Sequence, residues 1–177
     1  MLLLCTLRGS IILYQGEELA LPQVDVPFEK LQDPEAIANW PHTLSRDGAR
    51  TPMAWSADSP NLGFSTGEPW LPVGASHRSL AVDRQEGRDG SILEFTRKCI
   101  TLRRRHPALR TGSMRIQTAG EALLVFERTI GGQRLRCTFN LSEQEARFDG
   151  GGKAVLSTGP VDGGRLGPYA AVIEEIG

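Results

Sequence analysis

At 177 residues the chain predicts one domain, or two, and it cannot hold a complete (β/α)8 barrel, which needs about 250. Its 40% hydrophobic content is enough for a modest core, and a net charge of −1 gives no electrostatic reason to expect nucleic acid or an acidic membrane as partner. The three cysteines, Cys5, Cys99 and Cys137, are odd in number and lack paired spacing, which argues against a disulfide framework and for a reducing, cytoplasmic setting. Residues 1–5 are apolar but short and follow no basic segment, so they do not read as a signal peptide. No apolar run approaches the roughly 20 residues of a membrane span.

In chain order, residues 1–8 read as the end of a helix stopped by Gly9. Residues 11–14 are wholly apolar, as suits a strand buried on both faces in a parallel sheet. Residues 15–90 are rich in Pro, Gly, Asp and Ser, with brief helical turns predicted over 34–40 and 80–85. A loop of that length is more often functional than idle. The strongest helix is predicted over 91–105, capped by Asp89 or Ser91. Ile92, Phe95, Cys99 and Leu102 would form its apolar face, and Arg103, Arg104 and Arg105 crowd its C-terminal turn before Pro107. Short alternating runs over 114–117, 123–129, 135–139 and 170–174 read as strands. Gly131-Gly132 signals a hairpin, and the runs at 150–152 and 163–164 signal further turns.

Two blocks carry a resemblance. Ser10-Ile11-Ile12-Leu13-Tyr14-Gln15-Gly16-Glu17-Glu18-Leu19 and Arg46-Asp47-Gly48-Ala49-Arg50-Thr51-Pro52-Met53-Ala54-Trp55 resemble, in this order and spacing, the last barrel strand and following loop of the α-glucosidases. These belong to the α-amylase superfamily, glycoside hydrolase family 13, and the oligo-1,6-glucosidase branch is the nearest match. Gly63-Phe64-Ser65 and Pro69-Trp70-Leu71-Pro72 match the loop that follows. Residues 91–109 look like the family's last barrel helix, and the tail is similar to its C-terminal all-β domain. The resemblance implies an α/β fragment. Residues 1–110 would be the last β/α unit of a (β/α)8 barrel with its long loop, and 111–177 a small antiparallel β domain.

Retaining glycosidases need two carboxyl groups about 5 Å apart across the scissile bond. The family supplies an Asp nucleophile in a Gly-x-Arg-x-Asp motif, a Glu acid, and a third Asp following Asn-His, all upstream of its last strand. This sequence starts nine residues before Ser10 and contains none of those motifs, so no catalytic residue carries over. Glu17 and Glu18 are a tempting substitute, but neighbours on a strand point to opposite faces. In the family this pair ends the strand and buttresses the base of the site.

The resemblance implies that Arg46 reaches into the sugar pocket, pairs with an upstream Asp and helps hold the non-reducing glucose, which suits a planar guanidinium. The competing reading is a loop-bracing salt bridge to Asp47 or Glu18. For Arg50 a structural role leads. Trp55 and Trp70 read as sugar platforms or, preferably, as apolar anchors of the loop. Gln23 would border the acceptor side. Gly63-Phe64-Ser65-Thr66-Gly67 fits a nucleophile elbow in letters, but Pro60 and Pro69 flank it where a strand and a helix are needed. His42, His77 and His106 lack metal-ligand spacing, and a capping role suffices for His106. The arginine run reads as a solvated helix end rather than a nucleic-acid patch.

The function implied is retaining hydrolysis of a terminal α-linked glucose from short oligosaccharides, with no cofactor. The chain would be inactive without upstream carboxylates, and its partners would be the oligosaccharide and the missing barrel portion. A non-catalytic carbohydrate-binding or interaction module derived from such an enzyme is the alternative, and a separately acting hydrolase using Ser65 is a third.

Overall fold

The structure, a computed structural model, describes residues 1–43 and 45–177. The chain divides into two compact units, residues 12–96 and residues 1–11 with 97–177.

The second of these contains helix α1 (Leu2–Thr6), the C-terminal part of α4 (Ile92–Arg105), α5 (Pro107–Thr111) and every strand among the described residues. Strands β1 (Ser113–Ala119), β2 (Leu123–Ile130), β3 (Gln133–Asn140), β8 (Ala171–Glu175) and β5 (Lys153–Thr158) form one antiparallel sheet in that order. Short strands β4 (Ala146–Arg147), β7 (Arg165–Leu166) and β6 (Val161–Asp162) form a second. The predicted tail strands are present, the first three slightly longer than expected and the last shifted by one residue, and Gly131-Gly132 closes the β2–β3 hairpin with Ile130 opposite Gln133. Strand β5 and the small sheet were not legible. β5 (KAVLST) follows a glycine run and has little alternation, and two-residue strands exist only by virtue of partners far along the chain.

Side chains alternate across the large sheet. On one face Phe126, Leu135, Cys137, Phe139 and Ile173 are buried, with Phe126 and Phe139 stacked at 5.9 Å. Arg128 lies on the same face and is fully buried. Its guanidinium donates to the carbonyls of Thr6 (2.5 Å), Leu109 (3.0 Å) and Gly112 (3.1 Å), and its Nε to Ser113 O (3.2 Å). Helix ends leave carbonyls without intrahelical partners, and Arg128 serves those of both α1 and α5. On the opposite face Leu123 and Val172 pack with Phe148, Val161, Leu166 and Ala170, so the small sheet covers part of it.

Helix α4 starts at Ser91, whose Oγ accepts from Glu94 N at 3.2 Å. Its buried residues are Leu93, Thr96, Cys99 and Leu102, while Ile92 is 42% exposed and Phe95 half-buried. The predicted face was therefore wrong by one residue at its N-terminal end. Arg103 is not a solvated helix end: it donates to Cys5 O (2.9 Å) and Leu7 O (3.0 Å).

Residues 12–96 form a unit of tight turns around α2 (Pro34–Ala38), α3 (Val82–Gln85) and the start of α4. Its interior consists of small apolar clusters, among them Val26, Leu31, Ala36 and Leu71, and Leu19, Met53 and Leu93. Buried Gln85 fastens them: Nε2 donates to Leu19 O (2.9 Å) and Leu80 O (2.8 Å), and Oε1 accepts from Leu93 N (3.1 Å). The predicted strand over 11–14 pairs with no strand among the described residues, and Ile12 is 87% exposed. A strand exists through its neighbours' hydrogen bonds, and the described residues offer that segment none. Among the described residues no helix is long and apolar enough to cross a membrane.

Candidate substrate-binding site

The second sequence block forms a turn, Arg46–Ala49, whose start is capped by Ser45 Oγ accepting from Asp47 N at 3.0 Å. Asp47 is fully buried, and its Oδ2 accepts from Gln32 N (2.6 Å) and Asp33 N (2.8 Å). The block is thus pinned to the segment that begins α2. Asp33 is itself the α2 N-cap, accepting from Glu35 N at 3.3 Å with Pro34 at the first helical position.

Asp33 also receives Arg46. Arg46 Nε donates to Oδ2 at 2.9 Å, Nη2 donates to Oδ1, and the Arg46 backbone N donates to Oδ2 at 3.1 Å. The fork is bidentate, and the two partners differ in burial: the Asp33 side chain is fully covered, whereas that of Arg46 is 61% exposed. The side-chain hydrogen bond from Arg46 holds the Asp33 carboxyl well below the usual carboxylate range, and Asp33 in turn raises Arg46. A permanently charged guanidinium is fixed along one edge and presents the other outward. The loop-bracing partner is therefore Asp33, not Asp47 or Glu18. The separation of 13 positions hid the pair from sequence reading, although a helical turn was predicted from Pro34.

Glu17 and Glu18 do not lie on a strand. They open a short turn, Glu17–Leu19, entered through left-handed Gly16. Glu17 Oε2 accepts from Tyr14 N (3.2 Å) and Glu18 Oε2 from Gly16 N (2.9 Å), so each carboxylate folds back on its own backbone. Arg50 Nη1 lies 3.9 Å from Asp47 Oδ1, a bracing contact. Trp55 and Trp70 are 52% and 64% exposed, so neither anchors the loop; Leu62 and Leu71 do that. Gln23 Nε2 donates to Ser45 O (2.9 Å), and Gln23 and Ser45 share a cleft of about 330 Å³ with Asp25, Trp40 and Thr43. Phe28 pairs with Trp40 at 5.5 Å, a contact without a sequence signal.

Ser65 Oγ accepts from Gly67 N at 3.0 Å, in a loop with neither strand before nor helix after, so the nucleophile-elbow reading falls. Buried His77 pairs through Nε2 with Pro22 O (2.8 Å). His106 holds the α5 N-cap position without a side-chain cap bond. Its Nδ1 meets Gln133 Nε2 at 3.1 Å, and Gln133 Oε1 accepts from Ala108 N, so Gln133 does the capping. No group of three His, Cys, Asp or Glu side chains among the described residues is arranged to hold a metal.

Residues 1–112 match the family model described as "Alpha amylase, catalytic domain", and residues 111–173 match "Domain of unknown function (DUF3459)". The chain belongs to the α-amylase superfamily. A probable α-glucosidase of Rhizobium meliloti is 43% identical over 144 residues, covering 81% of this chain and 26% of that protein. A probable oligo-1,6-glucosidase 2 of Bacillus subtilis is 30% identical over 161 residues, covering 80% and 28%. Among solved structures, that of an α-glucosyl transfer enzyme, XgtA, superposes with a TM-score of 0.87 at 43% identity over 98% of this chain and 34% of that one. The chain thus spans about a third or less of the length of these relatives. In the superfamily's architecture it comprises the last β/α unit of a (β/α)8 barrel with its long loop, and an antiparallel all-β C-terminal domain.

Proposed function

We propose that this chain supplies the sugar-pocket arginine, the last β/α unit and, from residue 111, the β domain of a retaining α-glucosidase acting on short α-linked gluco-oligosaccharides. The observation that carries the reading is Arg46, gripped bidentately by buried Asp33 with its outer edge exposed. A guanidinium so held loses little further freedom when it meets vicinal hydroxyls of a terminal glucose.

The chemistry itself needs a nucleophile and an acid. No carboxylate of this chain matches the family's catalytic motifs, and Glu17 and Glu18 are occupied by their own backbone. Hydrolysis therefore requires carboxylates from other barrel strands, and this chain alone is inactive. Gln23 borders the acceptor side. The three free, buried cysteines support a reducing, cytoplasmic setting. A second reading, α-glucosyl transfer, is favoured by the 43% identity to XgtA. It shares the covalent first step and differs in whether water or a sugar hydroxyl takes the glucosyl group.

The test is a chimera in which this chain replaces the matching segment of the Rhizobium meliloti protein. The chimera is expected to cleave p-nitrophenyl α-glucoside. Arg46→Ala should lower kcat/KM by roughly tenfold to a hundredfold, through loss of a charge-assisted contact, with Arg46→Lys rescuing only in part. A change under about twofold would remove Arg46 from the site. Product analysis with maltose as both donor and acceptor separates hydrolysis from transfer.

A further inference from the structure

Asp33, Glu35 and Asp47 all raise the pKa of Arg46, Asp33 most, and the three carboxylates stand to it differently. Asp47 is buried; its Oδ2 accepts from Gln32 N and Asp33 N, and Arg50 Nη1 lies 3.9 Å from its Oδ1. Glu35 is exposed, and its oxygens accept from Asn39 Nδ2 (3.1 Å) and Thr43 Oγ1 (3.4 Å). Asp33 grips the guanidinium itself, with a side chain closed to water and both oxygens engaged.

We infer that Asp33 positions Arg46 and cancels its charge, so that the exposed edge receives the hydroxyls of an uncharged terminal sugar and not a phosphate or carboxylate. The geometry stands by itself; the ligand's identity rests on the sugar-pocket reading of Arg46. Nε and one N–H of Nη2 are committed to Asp33, which leaves Nη1 and the outer N–H of Nη2 to face outward. A lone guanidinium is well matched to phosphate and carboxylate. Here Asp33 neutralises the cation at contact and Glu35 adds a further negative charge nearby, so an incoming anion meets no net positive potential. A neutral hydroxyl still accepts a bond from a charged donor.

The aim is fixed from both ends. The Arg46 backbone N donates to the same Asp33 Oδ2 as its Nε does, so main chain and side chain are referenced to one oxygen. Asp33 is held in turn by Asp47, through its own N–H, and by its place as the N-cap of α2. Asparagine caps a helix about as well as aspartate and has nearly its volume. Asp33→Asn therefore keeps the cap while removing the charge and one of the two acceptors that the fork needs.

The test has two arms. In the full chain, 15N-resolved NMR should show a slowly exchanging Arg46 Nε–H signal that Asp33→Asn abolishes, and inorganic phosphate at about 10 mM should give no saturable shift over residues 45–47. In the chimera with the Rhizobium meliloti protein, Asp33→Asn should raise KM for p-nitrophenyl α-glucoside about threefold to thirtyfold with kcat held within about twofold, as for a sugar contact made equally in ground and transition states. A variant that is merely less folded would lose kcat at constant KM. Added to Arg46→Ala, Asp33→Asn should change KM by less than about twofold, because the group it positions is gone. The inference is overturned if the Nε–H signal survives Asp33→Asn, if phosphate saturates the native chain, or if Asp33→Asn has the same effect with and without Arg46. An effect of Arg46→Ala on KM with none from Asp33→Asn overturns the inference alone, whereas no effect of Arg46→Ala removes the sugar-pocket reading and the inference with it.

Discussion

Arg128→Met is the sharpest test of how the β unit is held together. The native side chain is fully buried and bonds four carbonyls, those of Thr6, Leu109, Gly112 and Ser113. Each bond from a charged donor is worth about 1.5–3 kcal/mol, but sealing a guanidinium from water costs several kcal/mol in return. Burial accordingly depresses its pKa, as does the nearby charge of Arg103. Methionine fills most of the space, so the change isolates the polar term. It leaves up to four carbonyls without this donor at about 1–3 kcal/mol each, offset by the guanidinium desolvation no longer incurred, for a net loss of about 3–5 kcal/mol. For a chain of this size that is a fall of roughly 6–20 °C in melting temperature. All three tryptophans, Trp40, Trp55 and Trp70, lie within residues 12–96, so their fluorescence reports that unit and far-UV circular dichroism reports the strands. The dichroism transition should drop by this amount. A fall of less than about 2 °C would show that the carbonyls find other donors and that Arg128 does not fasten α1 and α5 to the sheet.

Two further predictions use the same structure. Burial pushes the Cys99 and Cys137 thiols up to about 12 and raises Cys5 as well. A raised thiol pKa leaves almost no thiolate at pH 8, so an aromatic disulfide reagent should label none of the three quickly in the native chain and all three once it is unfolded in urea; rapid native labelling would contradict their burial. Gly48→Ala places a Cβ against Val24 O and 2.6 Å from Gln23 Cγ, where the Gly48 carbonyl accepts from Val24 N at 3.0 Å. It should cost about 1–3 kcal/mol, read as a lower urea midpoint by tryptophan fluorescence, and an unchanged midpoint would show that the crossing is loose.

Sequence patterns reported this fold where the determining interactions are local. The helix at Ile92 follows from its Ser91 cap and apolar spacing, and the β2–β3 hairpin from Gly131-Gly132. They failed where long-range partners decide. Ile92 and Leu93 fit a helical stripe equally well, and only Gln85, Leu19 and Met53 determine that Leu93 faces inward. Ile11 to Tyr14 has a strand's composition but no paired neighbour among the described residues. At the candidate site Arg46 was legible from its block, while its grip by Asp33 depends on two loop segments crossing at buried Asp47.

The central claim is that this chain carries sugar-binding and supporting parts of an α-glucosidase without its catalytic carboxylates. The most direct measurement is incubation of the purified chain, by itself, with p-nitrophenyl α-glucoside. The account predicts no release of nitrophenol above the uncatalysed rate, because the two covalent steps have neither nucleophile nor acid. Turnover that disappears in Glu17→Gln or Ser65→Ala would contradict it, since it would place catalysis on side chains that the structure shows engaged with their own backbone.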